Sequence, residues 1–217
     1  MVVLAQDQGE LFDVMPEPEN GQHGVITNPP SILFEPNCLL TSGEMKFKTI
    51  TRRDAHKTGT WHRAIGIWLY NDSGEVLVQR RSTEKDSHPL KWQSSAAGHV
   101  TCGDSVVDTV IKEVFEETGL VINTHDLELV TVILEAEEHE NVKFGKMSDN
   151  EYRYVFISRT DKRLEDCNFN VHEVCELKFM PYKKVLDHIE SRDPEFCPLS
   201  VDHITLVRAA LDAKNLG

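Results

Sequence analysis

Apolar and polar positions along this chain repeat with two different periods, and the longest regular stretch runs from Gly98 to Leu120, GHVTCGDSVVDTVIKEVFEETGL. At about 100° per residue, Val106, Val107, Val110, Ile111 and Val114 share one arc, which predicts a helix with a single apolar face. The helix starts at Asp104 or Ser105, where Ser105 and Asp108 are spaced like a capping box, and Gly119 ends it. Ahead of it, 64–70 and 75–80 are β-rich runs joined by Asn71, Asp72, Ser73 and Gly74, a hairpin signal. Short strands are predicted over 10–14 and 46–50, and 90–97 reads as an extended lead into Gly98. Beyond the helix, strands are predicted over 127–136, 152–158 and 174–180, with 137–150 as a polar link; helical periodicity returns over 181–189 and 201–211.

Residues 15–42 carry Pro16, Pro18, Pro29, Pro30 and Pro36, which argues for an irregular excursion, a surface loop or a lid, rather than a second domain. The plan is one domain: an N-terminal strand and irregular loop over 1–45, continuous with the main body over 46–217. Several strands around one central helix, with helices at the C-terminal end, predict an α/β fold in which a mixed sheet lies between helices.

Charge changes this picture at one place. Glu113, Glu116 and Glu117 lie at i, i+3 and i+4 on the predicted helix, so their carboxylates are neighbours and repel by a few tenths of a kcal/mol per pair. Glu117 falls inside the edge of the apolar arc and Glu113 beside it. A solvated acidic face is the plain alternative, but a carboxylate bordering a buried face needs a partner, and a divalent cation held by several oxygens supplies one.

The remainder of the composition mostly excludes. With 217 residues the chain is long enough for one domain with a full core. A formal charge of −13 argues against a nucleic-acid partner, because backbone phosphates would be repelled. No run reaches the roughly 18 apolar residues of a membrane helix, and the first ten residues do not read as a signal peptide. Cys38, Cys102, Cys167, Cys175 and Cys197 are scattered and never in CxxC pairs, as expected of reduced thiols in a cytoplasmic protein. Cys102 reads as a small loop residue, since no partner base for it is identifiable. Arg80, Arg81 and Lys85 form a basic cluster in an acidic chain, which suits either a bound diphosphate or ordinary surface charge.

The spacing of Gly98, Asp104, Lys112, Glu113, Val114, Glu116, Glu117, Gly119 and Leu120 resembles the Nudix box. Two positions depart from it: Asp104 stands where that family has Glu, and Lys112 where it has Arg, a residue whose planar fork Lys lacks. The resemblance implies an α/β/α sandwich and metal-dependent hydrolysis, with Mg²⁺ or Mn²⁺, of a diphosphate bond in a nucleoside diphosphate derivative or related small diphosphate. Glu113, Glu116 and Glu117 are then ligands or base, with the Gly98 carbonyl as a further ligand and Asp104 and Lys112 in support. Which glutamate is the base stays open.

Residues 62–98, with WLYNDSGEVLVQRRS, Lys85, Trp92 and the Gly98–His99 pair, are similar to the isopentenyl-diphosphate isomerase branch of the same superfamily. By that resemblance a second metal falls to His62, His99, Asp149 and Glu151, with His56 one residue off the branch's spacing, and the diphosphate to Arg81 and Lys85. The branch's catalytic Cys falls on Ala97, which has no proton to give, and the isomerases do not keep the full glutamate set. A hydrolase on the isomerases' framework is therefore expected, ahead of an isomerase-like enzyme and of a non-catalytic diphosphate sensor.

Overall fold

A computed structural model of the 217-residue chain describes residues 7–18, 23–27, 29, 46–141 and 144–216. Its strands are β1 (Leu11–Asp13), β2 (Gly24–Val25), β3 (Thr49–Thr51), β4 (His62–Tyr70), β5 (Glu75–Arg81), β6 (Trp92–Gln93), β7 (Ala96–His99), β8 (Leu127–Asn141), β9 (Gly145–Arg159) and β10 (Val174–Pro181). Its helices are α1 (Arg52–Thr58), α2 (Val106–Thr118), α3 (Tyr182–Glu190) and α4 (Val201–Asp212). An eight-stranded sheet runs β10-β5-β4-β9-β8-β2, with β6 attached to β5 and β7 to β4. The β4–β9 pair is parallel and the other pairs antiparallel, so the sheet is mixed as expected.

Strand alternation builds the two cores. On β4, Ile65, Ile67 and Leu69 point toward the Val106, Val110 and Val114 face of α2, and Trp68 and Tyr70 point to the other layer, where Val185 and Leu186 of α3 and Val207 and Leu211 of α4 close over them. Both faces of β4 are therefore covered and all nine of its residues are buried, as a strand between two helical layers requires. The result is the α/β/α sandwich.

After their hairpin turn β4 and β5 diverge: the only pair between them is Tyr70 with Val76. Residues 92–99 fill the gap, and Ser95 stitches it. The Ser95 amide donates to Ile67 O (2.9 Å), its Oγ accepts from the Leu69 amide (2.7 Å), and its hydroxyl donates to Leu77 O (2.6 Å).

Three expectations change. Residues 137–150 are not a link: β8 and β9 run on as a two-stranded ribbon whose register is regular from Thr131–Val155 to Asn141–Gly145. The ribbon's side chains there are largely polar and charged, such as the Glu138–Lys146 pair at 2.8 Å, so no apolar alternation marks it. The run 46–50 is replaced by the later and shorter β3, followed directly by α1, which no periodicity announced. Its buried residues are Arg52, Ala55 and His56; Thr51 caps its start and Gly59, at φ 67°, its end. The predicted strand at 10–14 is β1, paired with β3. Within 15–42, β2 adds to the edge of β8; the remainder of that excursion, with Cys38, lies largely outside the described residues.

Candidate active site

Helix α2 presents its glutamates over β7. Ser105 accepts from the Asp108 amide at the start of the helix, and Gly119, at φ 75°, ends it with its N–H on Phe115 O. A Cβ on Gly119 would stand 2.6 Å from the Asn168 backbone, so only glycine lets this end pack. Glu117 is 1% exposed. Its Oε2 accepts from Gln79 Nε2 (2.6 Å) and the Ala97 amide (3.0 Å), and its Oε1 from Lys85 Nζ (3.3 Å). Lys85 also pairs with Glu173. Hydrogen bonds to a charged acceptor contribute about 1.5–3 kcal/mol each, enough to offset much of the cost of burying this carboxylate.

Glu113 has the opposite environment. Its carboxyl lies against Gly98, where an added Cβ would meet it at under 3.0 Å. Burial, and then the charges of Glu117 and Glu116, push its pKa well above the usual carboxylate range, against the opposing pull of Lys85 and Lys112. One turn of helix thus carries a carboxylate held by three donors and a carboxyl that holds its proton unusually tightly.

A second cluster forms where β4, β7 and β9 meet. Ala64 pairs with His99 and His62 with Glu151, so these two registers alone bring His62, His99 and Glu151 together. Helix α1 adds His56, and β9 adds Asp149, two residues from Glu151 and on the same face. The ring centroids of His56, His62 and His99 are 4.9–5.2 Å apart, and Phe12 of β1 packs over them, stacked on His62 at 4.9 Å. Ligand atoms of His56, His62 and His99, and separately of His99, Asp149 and Glu151, lie within 4.8 Å of one another.

The donors and acceptors here are only partly satisfied. His62 Nδ1 bonds to Thr60 O at 2.8 Å, which puts its proton there and leaves the Nε2 lone pair facing the cluster. His62 Nε2, His56 Nε2 and Asp149 Oδ1 are buried and make no hydrogen bond, although His56 Nε2 stands 3.3 Å from Asp149 Oδ1. Burial holds all three histidines neutral: it is the largest cause lowering the pKa of His56, His62 and His99, with Arg52 adding to it in each. Burial, then Glu151, pushes Asp149 up to about 7. Neutral imidazoles with orphaned nitrogens beside carboxylates fit a transition-metal ion of the Mn–Zn series. His99 is the exception: Arg52 Nη1 donates to its Nδ1 at 2.8 Å, so its Nε2 carries the proton and donates to Glu151 Oε1 at 3.1 Å. It joins a metal only when one of those contacts opens.

Both clusters border one cleft of about 530 Å³. Gly98, Lys112, Glu113, Glu116 and Glu117 line one part, Arg52, His99, Asp149, Glu151 and Arg153 another, and Arg81 and Lys85 the wall between strand and loop. His56 and His62 sit behind this surface. Arg81 is braced by Gln93 Oε1 (2.9 Å) and Ser87 O (3.0 Å). Arg80, the adjacent strand residue, is not among the cleft-lining side chains; it bonds to Leu90 O at 2.8 Å and lies near Glu176 and Glu195. Asp104 is also outside the lining: it precedes α2, with its amide on Thr101 O.

Several site residues carried no sequence motif. Gln79 is a fully buried amide in the otherwise apolar run Val76–Val78, which was a usable signal. Arg153, on the same strand face as Glu151, bonds to both Glu151 and Glu135, the latter at 2.5 Å. Arg52, Phe12 and Glu173 come from segments that only tertiary structure brings near.

Sandwich, cleft and box glutamates together define the class, a Nudix domain. The chain belongs to the Nudix family: the model of the NUDIX domain matches residues 60–199. Nudix hydrolase 3 of Arabidopsis thaliana is 29% identical over 169 residues, which cover 76% of this chain but 22% of that protein. Isopentenyl-diphosphate Delta-isomerase of Escherichia coli (strain K12 / DH10B) is 29% identical over 168 residues, 77% of this chain and 88% of that protein. The crystal structure of DR0079 from Deinococcus radiodurans shares the fold, with a TM-score of 0.52 at 18% identity, over 79% of this chain and 96% of that one. Nudix enzymes in general use divalent metals, and the described residues include two groups able to hold one. Among the described residues no helix is long and apolar enough to cross a membrane.

Proposed function

We propose that this chain is a metal-dependent hydrolase that cleaves the diphosphate bond of a nucleoside diphosphate derivative or a related small diphosphate. The observation that carries the reading is the contrast between Glu117 and Glu113, one fixed on the strands by two donors to Oε2 and one with its pKa raised, both facing a cleft walled by Arg81, Lys85 and Lys112. Mg²⁺ or Mn²⁺ held by Glu116, Glu117 and the Gly98 carbonyl would neutralise diphosphate charge and acidify a bound water. Arg81 and Lys85 orient the diphosphate, the first by its fork and the second as a point charge. Glu113 is our choice of base, because a carboxyl with a raised pKa accepts a proton best near neutral pH. His56, His62, His99, Asp149 and Glu151 are assigned to a second metal.

The same reading includes a single domain that takes in the N-terminal segment, since β2 extends the main sheet and Phe12 of β1 packs on the histidines. It also includes a cytoplasmic location, supported by the free thiols of Cys102, Cys167, Cys175 and Cys197, and no nucleic-acid partner.

The test is a panel of nucleoside diphosphate derivatives, prenyl diphosphates and thiamine diphosphate with Mg²⁺ or Mn²⁺, followed by product release. Cleavage of one compound supports the reading; metal-dependent binding with no product across the panel would leave a sensor instead. The assembled histidine cluster favours a second reading, an isomerase-like enzyme, which predicts proton exchange on isopentenyl diphosphate. Ala97 weighs against it, because a methyl group cannot replace a thiol in proton transfer.

A further inference from the structure

We propose that Lys85 occupies the place of a cation on Glu117 and that a bound diphosphate draws it off, so that metal and diphosphate load together. The inference rests on the reading of Glu117 as a metal ligand.

Glu117 has one oxygen with room. Oε2 already accepts two donors, Gln79 Nε2 and the Ala97 amide, both on the strands beneath it. Oε1 faces the cleft, and the ammonium of Lys85 sits 3.3 Å from it with its side chain only 7% exposed. A buried carboxylate oxygen cannot hold an ammonium and a divalent ion side by side without strong repulsion in so poorly solvated a cleft. Metal arriving alone therefore competes with a charge that is already in place.

The surroundings give Lys85 somewhere to go. Glu173 is its second partner and lines the same cleft, so leaving Glu117 does not strip the ammonium of its counter-charge. The loop that carries it is pinned on both sides. Ser82 donates to His172 O at 2.6 Å, and Arg81 Nε donates to Ser87 O at 3.0 Å. The four-carbon stem can swing while the backbone stays. Phosphate oxygens in the cleft attract a compact ammonium through charge-assisted bonds. A diphosphate that takes Lys85 frees Oε1, and by reciprocity the metal strengthens diphosphate binding by the same factor. A merely neutralising role for Lys85 carries no such coupling.

The experiment is calorimetric titration of the full chain with Mg²⁺, alone and with saturating methylenediphosphonate, with the heats of the Mg²⁺–diphosphonate mixture subtracted. The wild type is expected to bind Mg²⁺ about tenfold more tightly, or better, when the diphosphonate is present. Lys85→Met is expected to bind Mg²⁺ alone about tenfold more tightly than the wild type and to lose most of the diphosphonate effect, whereas Lys85→Arg keeps the wild-type pattern. Should Lys85→Met not fold, Glu173→Gln serves: with Glu117 as the sole partner of Lys85, Mg²⁺ alone binds more weakly. Mg²⁺ affinity unchanged or lowered in a folded Lys85→Met, unchanged in Glu173→Gln, or insensitive to the diphosphonate in the wild type overturns the proposal while leaving Glu117 as a ligand. Absence of Mg²⁺ binding in every protein under both conditions overturns the ligand reading as well.

Discussion

Replacing Glu117 by Gln separates a catalytic role for the acidic turn from a structural one. The carboxylate takes bonds from Gln79 at 2.6 Å, the Ala97 amide at 3.0 Å and Lys85 at 3.3 Å. An amide keeps its oxygen for Gln79 and Ala97 and turns its NH₂ toward Lys85, donor against donor. Two bonds fall from roughly 1.5–3 kcal/mol to about 1 kcal/mol each and one is lost. Against this, removing a charge that is 1% exposed relieves a desolvation penalty of several kcal/mol. The two nearly offset, so stability should change by no more than about 2 kcal/mol, a Tm shift of up to roughly 8 °C in a chain of this size. Turnover should fall by about a thousandfold or more, some 4 kcal/mol of barrier at about 1.36 kcal/mol per tenfold. Far-UV circular dichroism, a thermal melt and metal-dependent product release from the compound cleaved in the panel measure all three quantities. A folded variant within tenfold of wild-type turnover refutes the reasoning, and a collapsed one makes the turn a structural feature.

Further outcomes are expected elsewhere in the cleft. Gly98→Ala should displace the Glu113 carboxyl, which leaves no room for a Cβ, and lower turnover more than it lowers Tm. In the metal-free protein the buried neutral histidines contribute stability above their unfolded pKa of about 6.5 that is lost on acidification. Urea melts between pH 4.5 and 6.5 should therefore show a shallower slope in His62→Gln, the difference bounded by the one-proton limit of about 1.4 kcal/mol per pH unit. Asp149 has the opposite sign. Its pKa is raised to about 7, so its contribution is present at low pH and lost as pH rises toward 7, and Asp149→Asn should steepen the same slope by a similar amount. An unchanged slope in both variants contradicts the burial-driven shifts. Ala97→Cys should give no proton exchange on isopentenyl diphosphate above background. Glu117, which accepts from the amide of this residue, is already bonded to Gln79 and Lys85.

What could be read beforehand follows from where the signal is local. The helical period, the Ser105 cap and the Gly119 stop fixed α2 because each depends on neighbours within four residues. The outer halves of β8 and β9 escaped because a solvated ribbon has no apolar alternation to read. Helix α1 escaped because two of its three buried residues, Arg52 and His56, are polar and are buried for the cleft rather than the core. Arg80 and Arg81 were indistinguishable in sequence; once β5 pairs with β10, strand alternation sends one away from the cleft and the other into it. The partners of Glu117 were unreadable for a further reason: Gln79, Ala97 and Lys85 lie on three different segments, and only the divergence of β4 from β5 brings them to one carboxylate.

That divergence also explains how one short strand serves both clusters. The amide of Ala97 binds Glu117, the hydrogen-only face of Gly98 admits Glu113, and the ring of His99 reaches Glu151, so three successive residues of β7 address both halves of the cleft. Their aim depends on the pairing of Ala64 with His99 and Ile67 with Ala96. Slipping that register by one residue would send His99 to the opposite face and bury Gly98 away from Glu113. Ser95, bonded to both β4 and β5 just before the strand begins, makes such a slip costly, because it would orphan a buried hydroxyl and the Leu69 amide together. The aim of β7 into both halves of the cleft is therefore held in part by Ser95, a residue that lines neither.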